Sequence, residues 1–458
     1  MAPTVAVIGL GKLGASMAAA LASRGMSVIG VDTNPDVVRL VNEGRAPVRE
    51  TGLQPCLEAG RSRLQATTNT ADAVSRSDVS FVIVPTPSDE RGAFALDVVA
   101  RAFAQIGRGL AARDAYHVVT LTSTVLPGST RTVLLPILER ESGRRAGRDF
   151  GVCYSPEFIA LGSVIRDFLN PDFTLVGELD ARSGAALESL YAAVVQNGAP
   201  CRRMSLENAE LTKVALNAYV TTKITFANML ADLCERLPGG DVDVVTAAMG
   251  DDVRIGRPYL TGALGFGGPC FPRDNVALAH LARALGTEAT LPVATDRAND
   301  ARTAALADTI VAALPAGATV AVLGLAYKPA SDVVEASAGL HLARALAAAG
   351  LRVVATDPLV SSLDGDPRVG IDVRASPAAC LAEAHGVVIA TPDPAFAALD
   401  PALFESRGPE PRVVFDCWRL LRRVLEHRPG IRYLGVGLSA DDPANAARLA
   451  TLWTDGPG

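Results

Sequence analysis

Lysine is scarce in this chain. Its 458 residues include 43 basic side chains, of which only four are lysines: Lys12, Lys213, Lys223 and Lys328. Heavy use of arginine beside much alanine and glycine is typical of a GC-rich genome. The compact ammonium of lysine and the planar guanidinium of arginine suit different contacts. Each lysine is therefore a candidate for a role that arginine would not fill.

Positive charge in excess, long apolar runs and paired cysteines are also absent. The net charge is −6, which argues against nucleic acid or an anionic membrane surface as the main partner. No stretch reaches about 18 consecutive apolar residues, and no basic segment precedes the N-terminal apolar run, so we expect no membrane span. The seven cysteines are scattered without a CxxC pair, which argues against disulfides or a metal site. These absences predict a cytoplasmic protein.

Hydrophobic residues are plentiful, at 49%, and the length predicts about three domains at roughly 150 residues each. An apolar run over 4–9 ends at Gly9, and Gly11 and Gly14 follow it. A helical pattern over 16–24 follows, and a second apolar run over 27–31 ends at Asp32. This order indicates one βαβ unit.

A repeat divides the chain. The sequence TVAVIGLG at 4–11 returns as TVAVLGLA at 319–326, and LASRGMSVIGVD returns as LAAAGLRVVATD at 346–357. Between the copies, 207–236 has helical periodicity and 254–274 is dense in Gly and Pro. We predict an α/β fold with two doubly wound Rossmann-like domains, 1–196 and 301–458, joined by a long central helix within a helical middle domain, 197–300.

The first copy has the pattern of a nicotinamide cofactor site. Gly9, Gly11 and Gly14 form a GxGxxG turn between a strand and a helix, where the backbone can approach a pyrophosphate. The Asp32 carboxylate can accept hydrogen bonds from a ribose diol and would repel a 2′-phosphate, which favours NAD over NADP. Lys12 lies within this turn, either as a solvated charge or as a phosphate contact.

A second candidate site centres on Cys270. It lies in GFGGPCFPRD, where glycines would let a substrate approach the backbone and Asp274 follows four residues later. The thiol is a candidate nucleophile if nearby cations favour the thiolate; the alternative is a small buried hydrophobe. Lys213 and Asn217, one helical turn apart, can together hold an oxyanion, although lysine on a helix is usually a solvated charge.

Two further polar positions follow apolar runs over 118–121 and 151–154. They are Thr124, in STVLPG, and Glu157, in SPEF. Both lie where a parallel sheet presents its chemistry, although turn and capping roles explain each equally well.

Many motifs occur in one collinear order from about Val5 to Asp416. They are GLGKLG, VNEGRAPVRETGL, VPTP, STVLPGST, SPEF with DFLNPDF, the KxxxN helix, RIGRPYL, GFGGPCFPRD and GLAYKP. The set resembles the nucleotide-sugar 6-dehydrogenases, the family of UDP-glucose, GDP-mannose and UDP-N-acetylmannosamine dehydrogenases. The resemblance implies oxidation of a C6 primary alcohol to a carboxylate for polysaccharide biosynthesis, with two NAD⁺ consumed and a thioester intermediate on Cys270.

The resemblance also implies roles for individual residues. Lys213 and Asn217 would stabilise the oxyanion, Asp274 would assist proton transfer, Thr124 would position a water molecule and Glu157 would activate water. Pro85, Thr86 and Thr124 would contact NAD. The implied substrate contacts are Phe158, Lys213, Arg254, Tyr259, Gly267 and Lys328, with Lys328 at the diphosphate. Arg254 would reach the site of a neighbouring subunit, which implies a homodimer.

Two of the chain's departures from the family pattern bear on these roles. Leu161 stands where the family commonly has a second glutamate, so a polar partner for the catalytic water is missing. Glu335 stands where an arginine is typical, which replaces a cation near the nucleotide with an anion. These changes bear on the identity of the substrate and on the rate of thioester hydrolysis.

Two other functions remain open from the sequence. A β-hydroxyacid dehydrogenase shares the GxGxxG domain and a helical lysine, but it needs neither Cys270 nor the repeat at 319–357. A nucleotide-sugar-binding regulator with reduced turnover would fit Leu161 and Glu335. Retention of Cys270, Lys213 and Glu157 favours the enzyme.

Overall fold

The β-branched apolar runs of both copies form parallel strands. The computed structural model describes residues 3–363, 370–406, 408–440 and 442–454. It confirms the α/β fold with Rossmann-like sheets in the first and last parts of the chain and helices between them.

The first sheet has eight strands in the order β3-β2-β1-β4-β5-β6-β7-β8, and β6 and β7 are the antiparallel pair. Its strands are β1 Thr4–Ile8, β2 Ser27–Val31, β3 Leu64–Thr67, β4 Val79–Val82, β5 Val118–Leu121, β6 Gly151–Tyr154, β7 Thr174–Glu178 and β8 Cys201–Ser205. The strand order reverses direction between β1 and β4, which places a binding crevice at their carboxyl ends.

The second sheet has six parallel strands in the order β11-β10-β9-β12-β13-β14, with the same reversal beside β9. Its strands are β9 Thr319–Leu323, β10 Arg352–Thr356, β11 Ile371–Val373, β12 Gly386–Ile389, β13 Arg412–Asp416 and β14 Ile431–Gly435. Both central strands, β1 and β9, are buried along most of their length and read as continuous apolar runs, as strands covered on both faces do.

Helices cover the sheets and fill the middle of the chain. Those of the first part are α1 Lys12–Ser23, α2 Pro35–Glu43, α3 Leu53–Gly60, α4 Thr70–Ser75, α5 Asp97–Ala111, α6 Leu135–Ser142, α7 Val164–Leu169 and α8 Ala181–Val194, with a π-helical segment at Ser129–Leu134. The middle helices are α9 Leu206–Arg236, α10 Val242–Asp251, α11 Phe271–Ala284 and α12 Thr290–Ala313. The remainder are α13 Ala338–Ala348, α14 Pro377–Leu381, α15 Pro394–Ala397, α16 Arg422–Leu425 and α17 Pro443–Thr454, with a 3₁₀ turn at Pro401–Phe404.

The chain divides into two compact units. Unit 1 comprises Met1–Leu216 and His280–Thr287, and unit 2 comprises Asn217–Ala279 and Glu288–Gly458. The predicted three-domain boundaries, 1–196, 197–300 and 301–458, stay a proposal. Among the described residues, no helix is both long enough and apolar enough to cross a membrane.

Two predicted boundaries near the candidate sites shift. Helix α1 begins at Lys12, so this lysine is the first helical residue and half-buried, and not part of the loop. Helix α11 begins at Phe271, so the predicted irregular segment ends at Cys270 and its last four residues are helical. Each glycine-rich turn thus leads directly into a helix N-terminus, where the dipoles of the backbone N–H groups favour an anion.

Candidate active site

The turn between β1 and α1 has the steric features of a pyrophosphate cradle. A methyl group on Gly14 would lie 1.8 Å from the Gly9 carbonyl oxygen, so helix and strand approach too closely for any side chain. At Gly11, by contrast, a methyl group would meet no atom within 4 Å. The space beside Gly11 is open, as a phosphate approaching the N-terminus of α1 requires.

Asp32, which follows β2, can accept further hydrogen bonds from a ribose. Its Oδ2 atom accepts the Leu10 N–H at 2.8 Å and its Oδ1 atom accepts the Asn34 N–H at 2.8 Å. Each carboxylate oxygen has two lone pairs. The carboxylate therefore orders the glycine turn and can still accept a hydrogen bond from each hydroxyl of a diol.

The ends of β4 and β5 are tied together beside this crevice. The buried Thr86 hydroxyl donates to the Thr124 carbonyl oxygen at 2.8 Å, and the Val84 N–H donates to the Ser123 hydroxyl at 2.9 Å. Pro85 is exposed immediately before Thr86, and Thr124 is half-buried. Both sequence-predicted threonines thus lie at the carboxyl end of the sheet in one bonded group.

Unit 1 also brings Glu157 and Lys213 together. The Lys213 ammonium donates to the Glu157 backbone carbonyl at 2.6 Å and lies 4.8 Å from the centre of the Phe158 ring. The Tyr191 hydroxyl, from α8, lies 3.5 Å from the Glu157 Oε1 atom. Sequence reasoning missed Tyr191, because only the fold brings α8 to this turn.

The environment of Glu157 suits a proton acceptor at neutral pH. Burial raises the pKa of the Glu157 carboxyl to about 7, while the Lys213 ammonium and the Tyr191 hydroxyl act in the opposite direction. A base works best when its pKa lies near the operating pH. Desolvation thus prepares this carboxylate for proton transfer.

Helix α9 fixes the loop that carries Thr124. The fully buried Glu210 carboxylate accepts the Gly128 N–H at 2.6 Å and the Thr130 N–H at 2.9 Å. One turn earlier, Glu207 pairs with Arg131. Glu210 and Lys213 are three residues apart on the same helix, so α9 contacts both the Thr124 loop and the Glu157 turn.

In unit 2, Cys270 immediately precedes α11. The thiol is exposed, and the Asp274 N–H donates to the Cys270 carbonyl oxygen at 2.8 Å as the first bond of that helix. The N-terminus of a helix carries partial positive charge that stabilises an anion, and such positions favour the thiolate of cysteine. The alternative of a small buried hydrophobe is wrong for this residue, because Cys270 is exposed.

Residues 261–269 form the glycine loop that leads to Cys270. A methyl group on Gly267 would lie 2.0 Å from the Ala336 carbonyl oxygen, and one on Gly268 would lie 2.5 Å from the Tyr327 ring. Both neighbours belong to the loop after β9, which also carries Lys328. These two glycines therefore let the loop after β9 approach the glycine loop closely.

Asn217 and Asp274 form a buried pair. The Asn217 amide donates to the Asp274 Oδ2 atom at 2.6 Å, and the Arg273 Nε atom lies 3.5 Å from Oδ1. Asp274 is fully buried at the first turn of α11. The amide predicted to face an oxyanion thus also orients the carboxylate four residues after Cys270.

Arg254 and Tyr259 lie on a strained, exposed loop. The Arg254 guanidinium binds both oxygens of Asp252, and its side chain is 85% exposed. Tyr259 has φ +67°, and its ring meets Phe271 edge to face with centroids 6.3 Å apart. Lys223 donates to the carbonyl oxygens of residues 255 and 256 at 2.9 and 3.2 Å, so this lysine holds the loop.

Comparison with known proteins decides the family. Models of the UDP-glucose/GDP-mannose dehydrogenase family match three successive segments: the NAD binding domain at residues 3–195, the central domain at 207–301 and the UDP binding domain at 321–423. The chain belongs to this family. The cofactor of the first sheet is accordingly NAD.

Relatives of this family match nearly the whole chain. UDP-glucose 6-dehydrogenase AglM of Haloferax volcanii is 36% identical over 434 residues, 94% of this chain and 99% of the relative. GDP-mannose 6-dehydrogenase of Azotobacter vinelandii is 34% identical over 86% of this chain and 92% of its own length. A solved UDP-glucose dehydrogenase of Pyrobaculum islandicum superimposes with a TM-score of 0.84 at 34% identity, covering 96% and 98% of the two chains.

Against the family pattern, the two departures lie at distinct places. Leu161 is half-buried in a turn whose Gly162 and Val164 N–H groups donate to the Glu50 carboxylate at 3.0 and 3.2 Å. Glu335 is exposed, and it precedes Ala336, which has φ +48° and contacts the glycine loop. Lys328 lies 5.8 Å from the centre of the Tyr327 ring on the same loop.

Proposed function

We propose that this NAD-dependent oxidoreductase oxidises the C6 primary alcohol of a nucleotide-activated hexose to the uronic acid. The observation that carries the proposal is the exposed Cys270 thiol at the N-terminus of α11, with the buried Asp274 one turn into that helix. The match to a UDP binding domain and the names of the relatives support a nucleotide sugar as the substrate.

An alcohol reaches the acid level only through two oxidations. The second oxidation needs a nucleophile, because a hydride can leave the aldehyde carbon only from a tetrahedral adduct. The first oxidation gives an aldehyde. The Cys270 sulfur then adds to the aldehyde carbon to give a thiohemiacetal, and its oxidation gives a thioester. When bound, NAD⁺ supplies the hydride acceptor for both oxidations. Water cleaves the thioester, which releases the acid and restores the thiol.

We propose the following roles for individual side chains in these steps. Lys213 and Asn217 stabilise the oxyanion, and Asp274, oriented by Asn217, transfers protons. Glu157, with its pKa near neutrality, accepts a proton from the attacking water that Thr124 positions. Contacts proposed for NAD are Gly9, Gly11, Gly14, Asp32, Pro85, Thr86 and Thr124. Those proposed for the substrate are Phe158, Lys213, Arg254, Tyr259, Gly267 and Lys328.

Replacement of Cys270 tests the thioester. We expect Cys270→Ser to abolish acid formation while NAD still binds, because the serine hydroxyl is a far weaker nucleophile than a thiolate. UDP-, GDP-, TDP- and CMP-hexoses would be screened with the wild-type protein for NADH release, and the variant would be assayed on the active one. A serine variant that still yields two NADH per sugar contradicts the thioester, and silence with every sugar favours a binding regulator.

Intact-mass spectrometry during turnover tests the effect of Leu161. With no second carboxylate at this position, we expect slow hydrolysis and an acyl group that accumulates on Cys270. An unmodified mass at steady state would contradict this expectation.

We also propose a homodimer built on α9. One face of this helix exposes large apolar side chains, each 44–64% accessible: Tyr219, Phe226, Met229 and Leu233. Apolar patches of this kind typically mark interfaces. A second copy covering the stripe would let Arg254 reach the neighbouring site. Sedimentation should give twice the chain mass of 47.5 kDa, and Leu233→Glu should give the chain mass. A wild-type protein that sediments as a single chain contradicts the proposal.

A further inference from the structure

The glycine loop is held by side chains from distant parts of unit 2. The Arg419 guanidinium donates to the carbonyl oxygens of residues 261 and 262 at 2.8 Å each. The Arg302 Nε atom donates to the Ala263 carbonyl oxygen at 2.7 Å. Side-chain donors therefore provide the hydrogen bonds that a neighbouring strand would provide to the backbone in a sheet.

Two asparagines make further contacts with the glycine loop. Asn228, from α9, accepts the Ala263 N–H at 2.8 Å and donates to the Leu264 carbonyl oxygen at 3.1 Å. Asn299, from α12, accepts the Phe266 N–H at 2.8 Å and donates to the Phe266 carbonyl oxygen at 3.1 Å. Each amide thus pairs with the backbone as a neighbouring strand would, with one donor and one acceptor.

Asn299 acts closest to the thiol. Phe266 is four residues before Cys270, and a methyl group on Gly265 would lie 2.4 Å from the Asn299 Oδ1 atom, so loop and side chain fit without spare room. After Phe266, the loop passes Ala336 and Tyr327 and enters α11 at Cys270. The position of Phe266 therefore sets the direction in which the chain approaches the helix.

We propose that Asn299 is a positioning residue that fixes the Cys270 thiol at the N-terminus of α11. The proposal rests on the proposed role of Cys270. Without the amide, Phe266 loses both backbone partners and the segment 266–270 relaxes. The sulfur then spends less time where the helix N-terminus stabilises a thiolate.

Alkylation of Cys270 by iodoacetamide, followed by peptide mass spectrometry, measures this effect without a substrate. We expect Asn299→Ala to slow alkylation at pH 7 by about five-fold and to move the half-maximal pH upward, because the thiolate is the reacting species. Asn299→Gln, which keeps the amide on a longer stem, should recover at least half of the lost rate. If the alanine variant does not fold, Asn299→Ser provides the comparison, since its hydroxyl is too short to reach Phe266.

Asn445 provides the matched control. It is 4% exposed in the same unit, and its amide donates to the Glu235 carbonyl oxygen on α9 and not to the glycine loop. Asn445→Ala should leave the alkylation profile unchanged. An unchanged profile in the Asn299 variants, or an equal change in Asn445→Ala, overturns the positioning role. Neither outcome depends on turnover, so failure of the thioester in Cys270→Ser remains a separate result.

Discussion

The two sheets of this protein share the close packing of one helix on the central strand, but they differ at the turn between that strand and that helix. In each, a glycine after the central strand faces a glycine in the following helix: Gly9 with Gly14, and Gly324 with Gly339. A methyl group on Gly14 would lie 1.8 Å from the Gly9 carbonyl oxygen, and one on Gly339 would lie 2.7 Å from that of Gly324. The close packing of helix on strand is therefore a property of both copies.

The chain between the two glycines is what differs. Gly14 follows Gly9 by five residues, whereas Gly339 follows Gly324 by fifteen. In the first copy, the helix begins directly after Gly11 and its N-terminus stays open. In the second copy, the longer segment carries Lys328 and packs against the glycine loop before α13 begins. The turn after the central strand thus leads directly into a helix N-terminus in one copy and into a longer segment that contacts the glycine loop in the other.

The acid after the second strand shows the same contrast. Asp32 accepts two backbone N–H groups, whereas Asp357 accepts four, from Leu325, Ala326, Leu359 and Val360. Four hydrogen bonds fill the acceptor capacity of a carboxylate, and two leave half of it. Asp32 can therefore bind a diol, while Asp357 is committed to holding its own loops.

Exchange of the residue after the first glycine turn should produce the largest effect on cofactor binding. The first copy has Gly11 where the second has the buried Ala326. We expect Gly11→Ala to weaken NAD binding by about tenfold or more, because its methyl group occupies the space that the pyrophosphate needs. The melting temperature should stay unchanged, since nothing lies within 4 Å of the new methyl group. Calorimetric titration with NAD measures the loss.

Ala326→Gly is the control for that exchange. It should leave NAD affinity unchanged, because the second copy has no helix N-terminus next to its turn. A Gly11→Ala variant with wild-type affinity would contradict the assignment of the cofactor to the first turn.

Acid should weaken the first sheet through a buried histidine. His117 is fully buried, with Nε2 2.8 Å from the Ser80 hydroxyl and Nδ1 2.7 Å from the Ser77 carbonyl oxygen. Burial lowers the pKa of His117 from its ordinary 6.5 to about 4. The unfolded chain therefore binds the proton first as the pH falls. The contribution of His117 is complete above pH 6.5 and declines by about 3 kcal/mol towards pH 4.

Urea unfolding between pH 7 and pH 4.5 measures this decline. His117→Gln should flatten the acid dependence of the free energy of unfolding, because glutamine does not titrate. Parallel curves for wild type and His117→Gln would show that other groups govern the acid response.

Much of the secondary structure could be predicted from local sequence patterns. The limits of β2, β5 and β6 agree with the apolar runs, and α9 begins one residue before the predicted helix. These elements are read from residues close in sequence, whose periodicity reflects burial directly. The start of α11 was misjudged because Gly and Pro density does not show where a loop meets a helix N-terminus. Lys223 had no predicted role, since its partners lie more than thirty residues away.

The two copies, the NAD turn and the family can be read from the residues alone, because each depends on residue types at short spacings. The fold was needed to show what the glycines at 267 and 268 approach, how Tyr191 and Lys213 surround Glu157, and which asparagines hold the glycine loop. Those contacts join residues tens of positions apart, and spacing along a chain carries no information about distances across a fold.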